Sequence, residues 1–165
     1  MGFLDTLDSI ARGLGWFVLL VSVIPFLFIN IFNIFAINYK ATVALGVSEL
    51  PKIPPGSIIV IQKTEYLKKG DIGCYIIPSD SCSPNPAIAR KGDVVCHDVI
   101  DVEVRGREIY YKFKGANNPE PDPCLINKRY VVGKVVAVIP YAGIGVIPWE
   151  IYVRLLFHIA SGGYL

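Results

Sequence analysis

From residue 13 to residue 38 the chain runs for 26 residues without a charged side chain, and no other feature constrains the fold as much. As an α-helix this run extends about 39 Å at roughly 1.5 Å per residue, against about 30 Å of bilayer hydrocarbon. A cleaved targeting leader has a basic flank, an apolar centre of about 7 to 15 residues and small residues at the cut. None of these fits, so the run reads as a retained transmembrane anchor. Pro25 is expected to kink it, while Asn30, Asn33 and Asn38 mark a less apolar end or a face toward another helix. Asp5 and Asp8 oppose Arg12 on one side and Lys40 stands on the other, so charge alone leaves the topology open.

The 165 residues have room for that anchor and one further domain. We therefore divide the chain into a short tail (1–12), the anchor (13–38) and a β-rich domain (39–165). The hydrophobic share of 53% comes largely from the first quarter and reports the anchor more than an unusual core. A net charge of +2 gives no nucleic-acid footprint. Beyond Lys40 the pattern changes to short β-rich runs at 57–62, 71–77, 93–104, 108–113 and 130–139, punctuated by Pro and Gly. Pro-rich loops fall at 78–86 and 119–123. After Pro148, residues 149–160 read as a short helix. Its polar residues Glu150, Arg154 and His158 recur every fourth position, which suits a helix lying on the bilayer. The expected fold class is mainly β: an N-terminal transmembrane helix, a small antiparallel β domain and a short C-terminal helix.

Within 93–104, the two-residue period of a strand puts Val95, His97 and Val99 on one face and Cys96, Asp98 and Ile100 on the other. Adjacent Cys96 and His97 therefore do not readily share a metal. With two histidines, and cysteines at 74, 82, 96 and 124, there is no close-paired zinc signature, and neither metal nor cofactor is expected. An even cysteine count in a domain outside the cytosol suggests disulfides. Three connectivities exist, and Cys82 with Cys124, both in Pro-rich loops, is the first expectation. Taken singly, Ser48 before Leu50-Pro51 is a turn hydroxyl, His97 a structural histidine in a Val-rich strand and Asp122 a turn residue between prolines. Lys91, beside Arg90, reads as a solvated loop charge rather than a base.

Five motifs in order change that weighting. They are Ser48-Glu49-Leu50-Pro51 leading into Pro54-Pro55-Gly56-Ser57; Gly70-Asp71-Ile72; His97-Asp98-Val99-Ile100; Lys114-Gly115-Ala116-Asn117-Asn118-Pro119-Glu120-Pro121-Asp122; and Val132-Gly133-Lys134-Val135 followed by Ile139-Pro140-Tyr141-Ala142-Gly143. Together they resemble the boxes of type I signal peptidases of the archaeal and endoplasmic-reticulum branch. That resemblance implies a membrane-bound serine endopeptidase that removes signal peptides from exported proteins. Ser48 would be the nucleophile, His97 the general base and acid, Asp122 the residue orienting the imidazole, and the Ser48 N–H part of the oxyanion hole.

It also implies a β domain resting against the membrane and a substrate extended along a strand with small side chains in shallow pockets. The implied partners are secretory preproteins with signal peptides, membrane lipid and the protein-export machinery. The implied location is the plasma membrane, single-pass, with the amino end cytosolic and the catalytic domain outside. Four positions depart from the family pattern: Glu49 replaces Met, Gly46 a hydroxyl residue, Asp98 a basic residue and Ala116 an acidic one. An alternative of another class is a signal-peptidase-like membrane protein that binds peptides, or serves as an accessory subunit, without catalysis.

Overall fold

The structure, a computed structural model, describes residues 2–146. The expected helix at 149–160, with His158, lies outside the described residues. One helix, α1 (Phe3–Phe35), leads into seven strands: β1 (Tyr39–Val43), β2 (Ile58–Gln62), β3 (Ile72–Ile76), β4 (Val94–Arg105), β5 (Glu108–Lys114), β6 (Leu125–Asn127) and β7 (Val131–Ile139). They form one sheet in the order β1-β2-β7-β3-β4-β5-β6, and every pairing is antiparallel.

Among the described residues α1 alone is long and apolar enough to cross a membrane, over Thr6–Phe35 with a mean hydropathy of 2.4. The helix starts earlier than the uncharged run, because Asp8 and Arg12 stand one turn apart and pair as ions instead of ending it. It also ends earlier. Ala36 makes the last helical hydrogen bond, and Tyr39 N–H bonds the Ala36 carbonyl in the turn that starts β1. Pro25 lies inside this continuous helix. Asn33 does not face another helix. Its side-chain amide donates to the Ala41 carbonyl at 2.9 Å and its oxygen accepts the Ala41 N–H at 2.7 Å, so it caps an outward-facing peptide unit of edge strand β1.

Ile29 packs with Ala41, Val43, Ile58 and Val146 to join helix and sheet. The short turn Ile144–Val146 reaches further along α1. There a Cβ on Gly145 would lie 2.1 Å from the Val21 carbonyl oxygen, so only glycine permits the approach. The main core, built on Tyr75, Ile77, Val99, Tyr111, Phe113 and Ile126, lies over β3, β4 and β5. The smaller cluster of Ile53, Ile59, Ile61 and Cys74 underlies β2. Five strands coincide with the β-rich runs read from the sequence. β1 and β6 do not: β1 follows directly on the apolar run, and β6 is three residues long.

Both disulfides are formed, Cys82–Cys124 and Cys74–Cys96. Cys74 and Cys96 are direct cross-strand partners in the β3–β4 ladder. The first ties the Asp80–Cys82 turn to the loop that precedes β6.

Candidate active site

The β3–β4 register sets the floor of the site. Gly73 pairs with His97 and Tyr75 with Val95, so the side chains of Tyr75 and His97 rise from the same face, opposite the Cys74–Cys96 bridge. Gly73 beside His97 leaves room that the Phe113 ring and Leu67 fill, because a Cβ there would lie 2.8 Å and 2.4 Å from their carbons. Phe113 in turn stacks on Tyr75 with ring centroids 4.5 Å apart. His97 is thus held by packing as well as by polar contacts.

Asp122 arrives on this face from the loop after β5. Its N–H bonds the Phe113 carbonyl at 2.9 Å, and its own carbonyl accepts from Lys112 Nζ at 2.7 Å. Pro121 and Pro123 restrict the flanking backbone, and Cys124, two residues on, is bridged to Cys82. The carboxylate accepts His97 Nδ1–H at 2.7 Å on Oδ2 and 2.9 Å on Oδ1, and Tyr75 Oη–H donates to Oδ2 at 2.7 Å. A carboxylate only accepts, so Nδ1 carries the hydrogen, and in the neutral ring Nε2 presents a lone pair. That lone pair meets Ser48 Oγ at 3.0 Å. His97 and Asp122 are buried while Ser48 is half-buried, so the relay runs from the interior to an accessible hydroxyl.

Burial, followed by the charge and hydrogen bond of Asp122, pushes the Tyr75 phenol well above its ordinary range, so it remains a donor. Sequence reasoning missed Tyr75. The signal was available in its two-residue offset from Gly73, but only the strand register shows which face it shares.

The loop at 115–118 clamps the Ser48 turn from above. Asn117 N–H bonds the Ser48 carbonyl at 2.8 Å, Asn117 Nδ2 donates to the Val47 carbonyl at 3.2 Å, and Ala116 N–H donates to Glu49 Oε1 at 3.2 Å. A Cβ on Gly115 would sit 2.8 Å from the Ser48 carbonyl oxygen, which accounts for glycine there. Lys52, from the Pro-rich turn, pairs with Asp98 on β4. Lys91, read in the sequence as a solvated loop charge, donates its backbone N–H to Asp80 Oδ1 at 2.8 Å. The Ser48 N–H has no acceptor among the described residues.

A groove of about 1020 Å³ opens at Ser48 and His97, with Leu45, Ile59, Ile61 and Val132 among its walls. Along its rim the chain continues the edge of β1. Ala41 turns its peptide groups outward to Asn33 and Ala44 turns inward to Ser57 and Gly56, so by alternation Leu45 turns outward. The backbone groups of Leu45 and Gly46 have no partners among the described residues, and those of Leu45, turned outward, leave a short stretch of extended edge open just before Ser48. No protein-family model matches this sequence, and no curated protein matches it.

Proposed function

We propose that the chain is a membrane-anchored serine endopeptidase of the type I signal peptidase kind, removing N-terminal signal peptides from exported proteins. The observation that carries this reading is the continuous Ser48–His97–Asp122 relay at the rim of a groove with an open strand edge. Three residues drawn from separate motifs need not meet if each were a turn or core residue, yet they lie within hydrogen-bond distance in the order that acyl transfer requires.

In the proposed reaction an extended peptide pairs with the outward-facing backbone of Leu45, which reads little of its sequence and so accepts many substrates. His97 Nε2 takes the Ser48 proton as Oγ bonds to the scissile carbonyl carbon. The resulting oxyanion is held by the Ser48 N–H. The imidazolium, stabilised by Asp122, then gives its proton to the leaving amine. Water, deprotonated by His97 in turn, hydrolyses the acyl-enzyme and frees Ser48. The α1 helix anchors the groove to the bilayer, and the plasma membrane, with the amino end cytosolic and the β domain outside, is the location we assign.

The test is cleavage of a signal-peptide-bearing preprotein by the purified full-length protein in detergent. Ser48→Ala and His97→Ala should each lower the rate by about 10⁴-fold or more at unchanged folding. Wild-type turnover equal to that of Ser48→Ala would overturn the nucleophile.

A further inference from the structure

Behind the nucleophile lies a second set of ionisable side chains that the Ser48–His97–Asp122 relay does not use. Glu49 is only 4% exposed. Its Oε1 accepts the Ala116 N–H, but its Oε2 is buried with no hydrogen-bond partner among the described residues. Asp98 on β4 repeats the arrangement. Its Oδ2 takes the Lys52 ammonium, while its Oδ1 is buried and has no partner among the described residues. The charged or titratable groups acting on Glu49 are Asp98 and His97 from β4 and Lys52 from the Pro-rich turn; the 115–118 loop contributes the neutral Ala116 N–H.

A buried carboxylate oxygen without a donor is costly. Two ionised carboxylates facing one half-exposed lysine also leave negative charge in excess. A proton on Glu49 relieves both problems. It removes one charge, and it converts one of two orphaned acceptors into a donor in a neighbourhood where Asp98 Oδ1 is an unused acceptor. Burial, and then the Asp98 charge, raise the Glu49 carboxyl from 4.5 to about 7, in the same direction as the geometry.

We infer that Glu49 is a proton-holding positioning residue whose neutral acid form keeps the ground behind Ser48 uncharged, and whose ionisation suppresses the reaction. The inference rests on the peptidase reading of the same site. Attack by Ser48 places negative charge on the substrate oxygen at the Ser48 N–H. An ionised carboxylate on the next residue opposes that charge through a poorly solvated medium. The competent state therefore needs His97 neutral and Glu49 protonated. Hydrolysis falls as Glu49 loses its proton.

Two measurements on the full-length protein in detergent test this. The first is the pH profile of preprotein cleavage for wild type, Glu49→Gln and Glu49→Met, with Ser48→Ala as the blank. The second is infrared difference spectroscopy of protonated carboxyl groups across the same pH range, which needs no turnover. We expect a carboxyl band present at pH 6, lost by pH 9 and absent from Glu49→Gln. We also expect a wild-type fall in rate of about tenfold or more between pH 7 and 9 that is missing from both variants. The same fall in both variants, or no such band in the wild type, would overturn the inference. If no Ser48-dependent cleavage occurs at any pH, the peptidase reading fails separately. The infrared band then decides the Glu49 proton alone, its presence supporting that assignment and its absence overturning it.

Discussion

One side chain that the relay borrows, and one that it lacks, decide how well Ser48 is served. Tyr75 supplies a second donor to the Asp122 carboxylate. Removing a neutral donor from a buried charged acceptor costs about 1.5 to 3 kcal/mol of stability, so Tyr75→Phe should lower the melting temperature and, with Asp122 less firmly held, lower kcat by several-fold. Equal kcat in that variant, measured beside an unchanged melting temperature, would remove Tyr75 from the site. Gly46 is the missing side chain. A Cβ built there lies 3.8 Å from Ser48 Oγ, with nothing closer, so a serine fits beside the nucleophile. Loss of one oxyanion donor typically costs about a hundredfold to a thousandfold. Gly46→Ser should therefore raise kcat, by about tenfold if its hydroxyl reaches only part of that geometry, and a fall would show that the position is closed to donors. Glu49 also leaves a mark on stability. Its folded pKa is raised from 4.5 to about 7, so the native state binds the proton more tightly than the unfolded chain. The contribution is complete below about pH 4.5, declines as pH rises and is gone above about 7. Denaturation of the wild type should show a loss of about 2 to 3 kcal/mol between pH 5 and pH 8 that Glu49→Gln does not show.

The elements that carry these residues are short, and their positions depend on cross-links as much as on strand pairing. The loop bearing Asp122 is held at its far end by Cys82–Cys124, which closes 42 residues. Loop-closure entropy makes such a bridge worth about 4 kcal/mol, and Cys74–Cys96, across 22 residues, slightly less. The two differ in what they hold. Replacing Cys82 and Cys124 together by Ser should lower both the melting temperature and kcat, because Asp122 loses its tether. Replacing Cys74 and Cys96 should lower the melting temperature with a smaller effect on kcat, because the β3–β4 ladder still aligns His97. Equal losses of kcat at matched folded fractions would argue against the tether. Much of this arrangement was legible in the sequence. The alternation around His97 already separated it from Cys96 and Asp98, and the two Pro-rich loops suggested the Cys82–Cys124 pair. The sequence did not reveal β1, whose five residues follow directly on the apolar run, nor the reach of Asn33 to its edge. A capping contact between an apolar helix and a strand leaves no periodic trace. The meeting of Glu49, Asp98 and Ala116 was equally hidden, because it depends on how a turn, a strand and a loop converge.

At the scale of the whole molecule, the helix and the sheet are not joined by a free tether. Asn33 binds β1, Ile29 is buried against the sheet, and Gly145 touches the helix backbone at Val21. The residues from Val21 to Phe35 cover about 21 Å of helix at roughly 1.5 Å per residue. If the bilayer core of about 30 Å begins near Gly13, the helical stretch that the domain covers lies largely inside it. Ile139, Tyr141 and Ile144, all at least 43% exposed, then face lipid and not water. The alternative is a span that starts nearer Thr6 and leaves the domain higher. Single cysteines at Tyr141 and Ile144, placed in otherwise cysteine-bridged protein, labelled with an environment-sensitive dye and reconstituted in vesicles, separate the two. Blue-shifted emission, quenched by lipid-borne but not by water-soluble quenchers, is the expected result, with Ile88→Cys, in an exposed loop of the domain, as the water-facing control. Equal quenching from water at all three positions would place the span nearer the amino end. It would also lift Ser48 clear of the surface from which the proposed membrane-inserted substrate would be reached. Gly145→Val carries the same argument into function. It forces the turn off Val21, so cleavage of a membrane-inserted preprotein should fall several-fold while cleavage of a short soluble peptide is kept, which separates the position of the groove from its chemistry.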